Sequence, residues 1–325
     1  MLKLLPDVAR AAIAAAVLFS QGGCAAADPN FAYAEFSEGR LASSGNANTG
    51  LRYQAGSIAK LMCTIAVLRL SDAGQVNIDA PVSTLLPELA GAPSGQPTLR
   101  QIMANRSGLM DGLSPAIETD FAAATAIADT SEAISRFVPD RLAFSPDESF
   151  SYDLVNWILV QRAIEKATGE PLSVALEKLV LVPAGMQSSE VFKGQPKEDV
   201  AQPSEPVMPV PAFLRCAGGL ISTPSDLIRL SRFAYQGSLS APSIAALETV
   251  LTPDENYALG GRIEIHEGRP LAWHTGSNGA YKSLVVYDSV SDRGFSAMTA
   301  QGDWSVIEAA RERWLARSHD MKSTP

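Results

Sequence analysis

The chain has 325 residues, 46% of them hydrophobic, and a formal net charge of −9 at neutral pH. That length and apolar content suffice for a substantial core in one large domain or two intertwined ones. The acidic balance argues against a nucleic-acid partner, because binding to phosphates requires clustered lysine and arginine.

The first 27 residues have the layout of a secretory signal peptide. A weakly basic start is followed by an apolar run over residues 11–20 and by Ala25-Ala26-Ala27, small residues that suit cleavage before Asp28. The apolar run is too short to span a bilayer. Two alternatives are lipidation of Cys24, which would anchor the protein to a membrane, and a buried N-terminal helix. We expect an exported protein, periplasmic or secreted, whose contact with a membrane would be limited to a lipid on that cysteine.

Strands and a buried helix are predicted for the next part of the chain. Residues 31–45 alternate as two short strands around a Glu38-Gly39 turn. From Ser57 the pattern becomes helical, and the run SIAKLMCTIAVLRLSDAG is apolar on every side until Gly74. A helix with that pattern is predicted to be buried.

Residues 76–215 read as helical pieces separated by proline, glycine and serine. The clearest helical runs are residues 98–108, 152–169 and 171–181. Residues 194–212 carry many prolines and predict an irregular surface stretch. Another helix is predicted from Thr223 as its N-cap, with Pro224 at its first position and Asp226 reaching back to the cap.

The last third is rich in β-structure. Four such runs, residues 257–268, 270–276, 280–289 and 293–301, are separated by turns and followed by a helix from Trp304 to Ala316. Strands at both ends predict an α/β (α+β) fold, in which one antiparallel sheet built from both termini is flanked by helices. The predicted division assigns residues 28–75 and 215–325 to an α/β subdomain and residues 76–214 to a mostly helical one. A site is expected where the two subdomains meet.

Cysteine and histidine give little support for cross-links or metals. If Cys24 is removed or acylated, Cys63 and Cys216 remain. They either pair in an oxidising compartment or, as we favour, are two small buried hydrophobic residues. The histidines lack metal-ligand spacing, so neither a metal nor another cofactor is expected.

Ser57-Ile58-Ala59-Lys60 forms an S-x-x-K motif at the start of the predicted buried helix. Positions i and i+3 share a helix face, so the Lys60 ammonium would lie beside the Ser57 hydroxyl. A lysine in an apolar helix needs a reason, because an unpaired buried charge is costly. The motif alone is common by chance, and its placement directly after Gly56 makes it a candidate catalytic pair.

His274-Thr275-Gly276-Ser277 ends one of the late β-rich runs. A strand end that contains glycine can approach a substrate backbone and donate N–H groups to it. The alternative is an ordinary strand-to-turn junction. Tyr152 opens the helical run of residues 152–169, where a tyrosine by itself indicates no more than packing.

Taken in order, S-x-x-K, a tyrosine at a helix start and H-T-G on a late strand resemble the motifs of serine β-lactamases and penicillin-binding proteins. The chain resembles the class C-like branch, which also holds DD-carboxypeptidases, D-aminopeptidases and carboxylesterases. The resemblance spans roughly residues 52–301. It is carried by YQAGSIAKLMCTIAVLRLSDAG, TLRQIMANRSGL, FSYDLVNWILVQRAIEKATGEPL, VPAGM, AGGLISTPSDLIRL and HTGSNGAYKSLVVYD.

The resemblance implies a role for each motif residue. Ser57 would be the acylated nucleophile, Lys60 its proton partner, and Tyr152 the base that also protonates the leaving group. His274 would bring positive or hydrogen-bonding character to the substrate, and the N–H groups of Ser57 and Ser277 would form the oxyanion hole. Free tyrosine and lysine have pKa values near 10, so either needs a shift of about 3 units to act at neutral pH. The sequence leaves either of them as the base.

One departure bears on the substrate. The family reads Y-S-N or Y-A-N where this chain has Tyr152-Asp153-Leu154. The family's asparagine holds the amide of a β-lactam or peptide; Leu154 cannot, and Asn156 lies too far along the helix. The missing asparagine favours esters, whereas H-T-G is found in peptidase-like members.

The sequence therefore predicts a serine hydrolase that acts through an acyl-enzyme on an ester, a β-lactam or a D-amino-acid peptide. The alternative is a catalytically silent protein that binds cell-wall fragments or β-lactams on the same fold. An α/β-hydrolase would need G-x-S-x-G and a class A β-lactamase would need S-D-N, and the sequence contains neither motif.

Overall fold

The computed structural model describes residues 30–45, 50–192 and 197–320. The predicted signal peptide and Cys24 lie outside these residues. The strands are β1 (Phe31–Ser37), β2 (Arg40–Gly45), β3 (Tyr53–Gln54), β4 (Glu190–Val191), β5 (Leu220–Ser222), β6 (Arg262–His266), β7 (Arg269–Asn278), β8 (Tyr281–Asp288) and β9 (Arg293–Thr299).

The helices are α1 (Ala59–Asp72), α2 (Leu99–Met103), α3 (Leu113–Thr119), α4 (Phe121–Thr125), α5 (Thr130–Phe137), α6 (Val155–Thr168), α7 (Leu172–Leu176), α8 (Arg215–Gly218), α9 (Pro224–Phe233), α10 (Ala241–Glu248) and α11 (Ser305–Asp320). Single 3₁₀ turns include Gly56–Ile58, which leads into α1. Two π-helical turns, Glu177–Leu181 and Ala234–Ser238, extend α7 and α9.

Both ends of the described chain meet in one antiparallel sheet, which confirms the predicted fold class. The six strands stand in the order β2-β1-β9-β8-β7-β6. Every neighbouring pair is antiparallel. A small second sheet, β3-β5-β4, lies beside it. Because β3 ends three residues before Ser57, this small sheet helps to place the S-x-x-K segment.

Helices cover both faces of the large sheet. On one face, Ile307 and Trp314 of α11 join a hydrophobic cluster with Phe295 and Val286 of the sheet. On the other face α9 packs against β9, β1 and β8, and its Ile228 meets Phe36. These two layers hold β7 in a fixed position between β8 and the shorter β6.

Helix α1 is the buried helix that the sequence predicts. Its residues from Met62 to Leu68 are all buried, and it packs against α6 and α8. It stops at Asp72, and Gly74 then adopts a positive φ of +71° that ends the helix. Among the described residues, no helix has the length and apolarity needed to cross a membrane.

The cap of α9 is only half as predicted. The Thr223 side chain accepts a hydrogen bond from the Asp226 N–H, with Pro224 in the first turn. The Asp226 carboxylate, however, does not reach back to the cap. It is fully buried and accepts hydrogen bonds from the Ser188 N–H and the Ser189 hydroxyl, both at 2.8 Å. A buried carboxylate needs several donors, and the neighbouring segment supplies them.

Other predicted boundaries also shift. Helix α2 ends at Met103 rather than near residue 108, because the chain turns at Asn105, which has a φ of +55°. Helix α6 begins at Val155, three residues after Tyr152. Strand β7 continues to Asn278, so the predicted turn at residues 277–279 falls later, around Gly279.

The favoured interpretation of the cysteines is wrong. Both side chains are buried as expected, but Cys63 of α1 and Cys216 of α8 form a disulfide, with Cα atoms 5.7 Å apart. The packing of α8 on α1 brings the two residues together across 153 positions of sequence. No local pattern in the sequence signals that contact.

Candidate active site

The candidate site forms where the segment before α1 touches strand β7. Gly56 has a φ of +52°, and a Cβ atom there would lie 2.5 Å from the Ser277 nitrogen. A Cβ atom on Gly276 would overlap the Ala55 carbonyl oxygen. The Ser283 hydroxyl donates a hydrogen bond to that same oxygen at 2.8 Å. Two glycines therefore allow backbone-to-backbone contact, which brings the segment around Ser57 against the backbone of Ser277.

Lys60 lies fully buried beneath Ser57. Its Nζ is 3.0 Å from the Ser57 Oγ and donates a hydrogen bond to the Ala217 carbonyl oxygen at 2.9 Å. The Trp157 ring lies 5.5 Å from the same Nζ. Burial lowers the pKa of the Lys60 amine, an effect that Tyr152 partly opposes by its charge when ionised and by a hydrogen bond. The neutral amine, which can accept a proton, is therefore favoured relative to a lysine in water.

Tyr152 lies in the loop before α6, with its ring centroid 4.9 Å from the Lys60 Nζ. Tyr152 is 39% exposed, so part of the residue is open to solvent. Tyr257 packs edge-on against it at 6.0 Å. The Ser151 N–H donates to the Asn105 carbonyl at 2.9 Å and fixes the loop. The structure thus brings Tyr152 together with the Ser57–Lys60 pair of the S-x-x-K motif, which lies more than 90 positions earlier in the chain.

His274 faces the same side of the sheet as α1. Its β8 partner is Val285, a member of the core cluster that includes α1. The Nδ1 atom lies 2.6 Å from the Thr275 carbonyl oxygen. Burial, and then the positive charges of Arg262 and Lys60, lower the pKa of His274 to about 3. The resemblance implied that His274 supplies either positive charge or a hydrogen bond to the substrate. At neutral pH its ring is therefore uncharged, and only the hydrogen bond is available.

The other residues of the H-T-G-S segment contribute through their backbone. The partner of Thr275 is Leu284, which packs in the cluster beneath α11. Since paired residues share a face, the Thr275 side chain points away from Lys60. The Ser277 hydroxyl lies on that same face and accepts a hydrogen bond from the Lys282 Nζ at 2.8 Å. Gly276 and the Ser277 amide are what this segment brings to the site.

Acid is expected to destabilise the folded protein in part through His274. The pKa of its imidazole is about 3 in the folded protein, against 6.5 for a histidine free in water, so the unfolded state binds the extra proton between these values. The associated stability is complete above the unfolded pKa and is lost as pH falls toward the folded one, by on the order of 5 kcal/mol in total.

The variant His274→Asn should therefore lose less unfolding free energy than the wild type between pH 6.5 and pH 4. Denaturant titrations at a series of pH values measure that slope. An equally steep decline in both proteins would contradict the assignment.

The position of the family's asparagine is apolar in this chain. Leu154 precedes α6 and packs against the core. Asn156, two residues further along, is buried, and its Oδ1 accepts a hydrogen bond from the Ser107 hydroxyl at 2.5 Å. Neither residue presents an amide to the Ser57–Lys60 pair.

Two contributors to the site were missed by sequence reasoning. The Ala217 carbonyl oxygen accepts a hydrogen bond from Lys60, and the Tyr257 ring packs edge-on against Tyr152. A backbone oxygen leaves no side-chain signal, although Ala217 opens the family-like run AGGLISTPSD. For Tyr257, the sequence indicated only that it is the first residue of a β-rich run. No group of three or more histidine, cysteine or acidic residues with metal-binding geometry occurs in the described parts of the chain.

Residues 6–318 match the family described as Beta-lactamase. Among curated proteins, the esterase EstB of Burkholderia gladioli is 30% identical over 181 residues, 50% of this chain and 44% of EstB. Penicillin-binding protein 4 of Amycolatopsis lactamdurans is 29% identical over 145 residues, 42% of this chain and 35% of the relative. The matched stretches thus span less than half of either relative.

Among solved structures, a D-stereospecific amidohydrolase from Streptomyces sp. superposes with a TM-score of 0.73 at 22% identity, covering 86% of this chain and 93% of the other. At that identity the likeness concerns the fold.

Proposed function

This chain belongs to the beta-lactamase family, and we propose that it is a serine hydrolase that forms an acyl-enzyme on Ser57, with small carboxylic esters as its preferred substrates. The observation that carries the proposal is the buried Lys60 amine, 3.0 Å from the Ser57 Oγ. A serine hydroxyl attacks a carbonyl only when an adjacent base removes its proton. The burial that lowers the pKa of Lys60 supplies such a base.

The proposed reaction has two halves. Lys60 accepts the hydroxyl proton while the Ser57 Oγ bonds to the carbonyl carbon, and the oxyanion is stabilised by the N–H groups of Ser57 and Ser277. Collapse breaks the bond to the leaving alkoxide, which takes its proton from Tyr152, and Tyr152 regains one from Lys60. In the second half water attacks the acyl-enzyme with the same groups as base, and Ser57 leaves with its proton restored.

The role of Tyr152 rests on its contact with Lys60. The two groups interact by charge and hydrogen bond, and the ring lies within 4.9 Å of the amine. The direct hydrogen bond to Ser57 belongs to Lys60, which favours Lys60 as the group that deprotonates the serine. Tyr152 is more exposed and is therefore better placed for the leaving group.

The preference for esters rests on Leu154. An amide substrate bound without a partner for its polar group leaves a hydrogen bond unmade. An ester makes no such demand, and an aryl or alkyl oxygen leaves more readily than an amine. That the relative EstB is an esterase supports the same class.

Short acyl esters are accordingly expected to be hydrolysed more efficiently than cephalosporins. The lost amide contact costs about 1–3 kcal/mol, or about 5- to 150-fold in kcat/KM. Leu154→Asn should raise kcat/KM for nitrocefin relative to p-nitrophenyl butyrate. The test is a panel of both compounds, a D-Ala-D-Ala peptide and a D-amino-acid amide on both proteins. A wild-type kcat/KM for nitrocefin above that for the ester would make the chain a β-lactamase with another amide clamp.

A silent binding protein on the same fold is the alternative. Mass spectrometry after treatment with a fluorophosphonate separates the two, since an enzyme with an activated Ser57 acquires one covalent adduct on that residue. An unmodified protein that still binds penicillin reversibly would establish the binder instead.

We also propose that the mature protein acts outside the cytoplasm. The Cys63–Cys216 disulfide supports this, because cytosolic thiols are usually kept reduced. N-terminal sequencing of the exported form checks it, with Asp28 or an acylated Cys24 expected as the first residue. An intact Met1 on a cytoplasmic protein would contradict it.

A further inference from the structure

We propose that the Cys63–Cys216 disulfide is a positioning element of the active site, which holds the Ala217 carbonyl against Lys60 and thereby sets the rate of acylation. This inference rests on the proposed function, in which Lys60 deprotonates Ser57. It assigns to the disulfide a role beyond that of a stabilising cross-link.

The disulfide and the lysine hydrogen bond join the same two elements. Cys63 follows Lys60 by three positions on α1, so both side chains lie on one face of the helix. Cys216 directly precedes Ala217 in α8. The covalent link between Cys63 and Cys216 therefore runs alongside the 2.9 Å contact between the Lys60 Nζ and the Ala217 oxygen. One link constrains the geometry of the other.

Helix α8 needs such a constraint. It has only four residues, Arg215–Gly218, and a helix of that length has little stability of its own. Gly219 follows Gly218, and two consecutive glycines add backbone freedom. The Arg215 N–H donates to the Gln161 side chain at 3.0 Å, and β5 anchors the chain after the glycines. The disulfide is the attachment next to Ala217 itself.

The Ala217 carbonyl fixes how the amine is oriented. A neutral amine has two N–H groups and one lone pair, and the lone pair must point at the Ser57 hydroxyl to accept its proton. With one N–H held by the Ala217 oxygen and the other side facing Tyr152, the lone pair is left for Ser57. If α8 drifts, the amine can rotate and water can enter beside it. Acylation then slows, and the weaker desolvation lets the pKa of Lys60 rise toward its usual value.

The test compares the double variant Cys63→Ala/Cys216→Ala with a matched core variant, Ile307→Ala. Ile307 of α11 is fully buried, in a hydrophobic cluster separate from the one that contains α1. Both variants should unfold at lower temperature. Hydrolysis of p-nitrophenyl butyrate is measured at a temperature where circular dichroism shows all three proteins folded.

For the double variant we expect kcat to fall about 10-fold with KM changed by less than about 2-fold. The acid limb of its pH profile should move upward by about half a pH unit or more. Ile307→Ala should retain the wild-type kcat and acid limb. A double variant that loses only thermal stability would overturn the proposal, as would an active wild type whose Cys63 and Cys216 are both alkylated without reductant.

If the double variant fails to fold, a second measurement on the wild type tests the same proposal. Reduction of the native wild type with dithiothreitol, which is oxidised to its cyclic disulfide as the two protein sulfurs become thiols, should lower kcat and move the acid limb in the same direction. Unchanged kinetics in protein shown to be fully reduced would overturn the inference. Failure of the proposed function is recognised separately, because wild-type Ser57 would then take up no fluorophosphonate.

Discussion

Ser57→Ala is expected to reduce ester turnover by about 10⁴-fold or more and to abolish covalent labelling by a fluorophosphonate. The variant removes the one oxygen that bonds to the substrate carbon. It leaves the Ser57 N–H in place, so the oxyanion site and the glycine contacts persist. Because Ser57 is partly exposed, thermal stability should change little, by less than about 1 kcal/mol.

Ser135→Ala serves as the matched control for that substitution. Ser135 lies on the exposed side of α5, where its hydroxyl donates to the Ser131 carbonyl at 3.1 Å. Turnover and labelling should both stay at the wild-type level. Burst kinetics or an adduct that survived in Ser57→Ala would move the nucleophile to another residue.

Substitution of Lys60 should have the next largest effect. Lys60→Met removes the base and should lower the single-turnover rate of acylation by about 10²- to 10⁴-fold. Lys60→Arg should be almost as impaired although it keeps the positive charge, because a guanidinium does not give up its proton in proteins. Comparable losses in both variants identify proton transfer as the role of the amine. An Arg variant close to wild type would show that charge alone is required.

Stability separates that catalytic role from a structural one. Lys60 is fully buried, and burying an amine that can ionise is costly unless it is well paired. Lys60→Met should therefore unfold at the wild-type temperature or above it while losing activity. The wild-type pH profile provides a further check. Because the base must be neutral, activity should be lost as pH falls through the lowered pKa of Lys60. A methionine variant that unfolded readily would indicate that the amine holds the fold together.

The sequence predicted the sheet well because its signals are local. Alternating strands separated by glycine and aspartate turns carry their own register information. Strands β6, β8 and β9 lie within the runs predicted from the sequence, and β7 extends beyond its predicted run at both ends. Ser57 and Lys60 were equally accessible, since three-residue spacing on a helix fixes a shared face. In each case the residues that decide the structure are neighbours in the chain.

What escaped prediction depends on contacts between distant residues. The sequence near Cys63 does not indicate that Cys216, 153 positions later, lies against it. The Ala217 carbonyl is a backbone group that every residue has, so the residue type gives no sign of its contact with Lys60. The local sequence predicts that Asp226 caps its own helix, but in the fold its carboxylate accepts a hydrogen bond from the distant Ser188 N–H instead. Tyr152 reads as the first residue of a helix, yet the helix starts at Val155. Tertiary packing overrode a local preference in both cases.

The glycine contact between the Ser57 segment and β7 has a consequence for protein engineering. Gly56 and Gly276 let two backbones touch, so the placement of the proposed oxyanion N–H groups depends on main chain that a larger side chain at either glycine would displace. Leu154 lies outside that contact, at the start of a helix. Saturation libraries aimed at new substrates should therefore diversify Leu154 and its surroundings, and leave both glycines untouched. The same separation allows natural selection to exchange substrates while it retains one reaction.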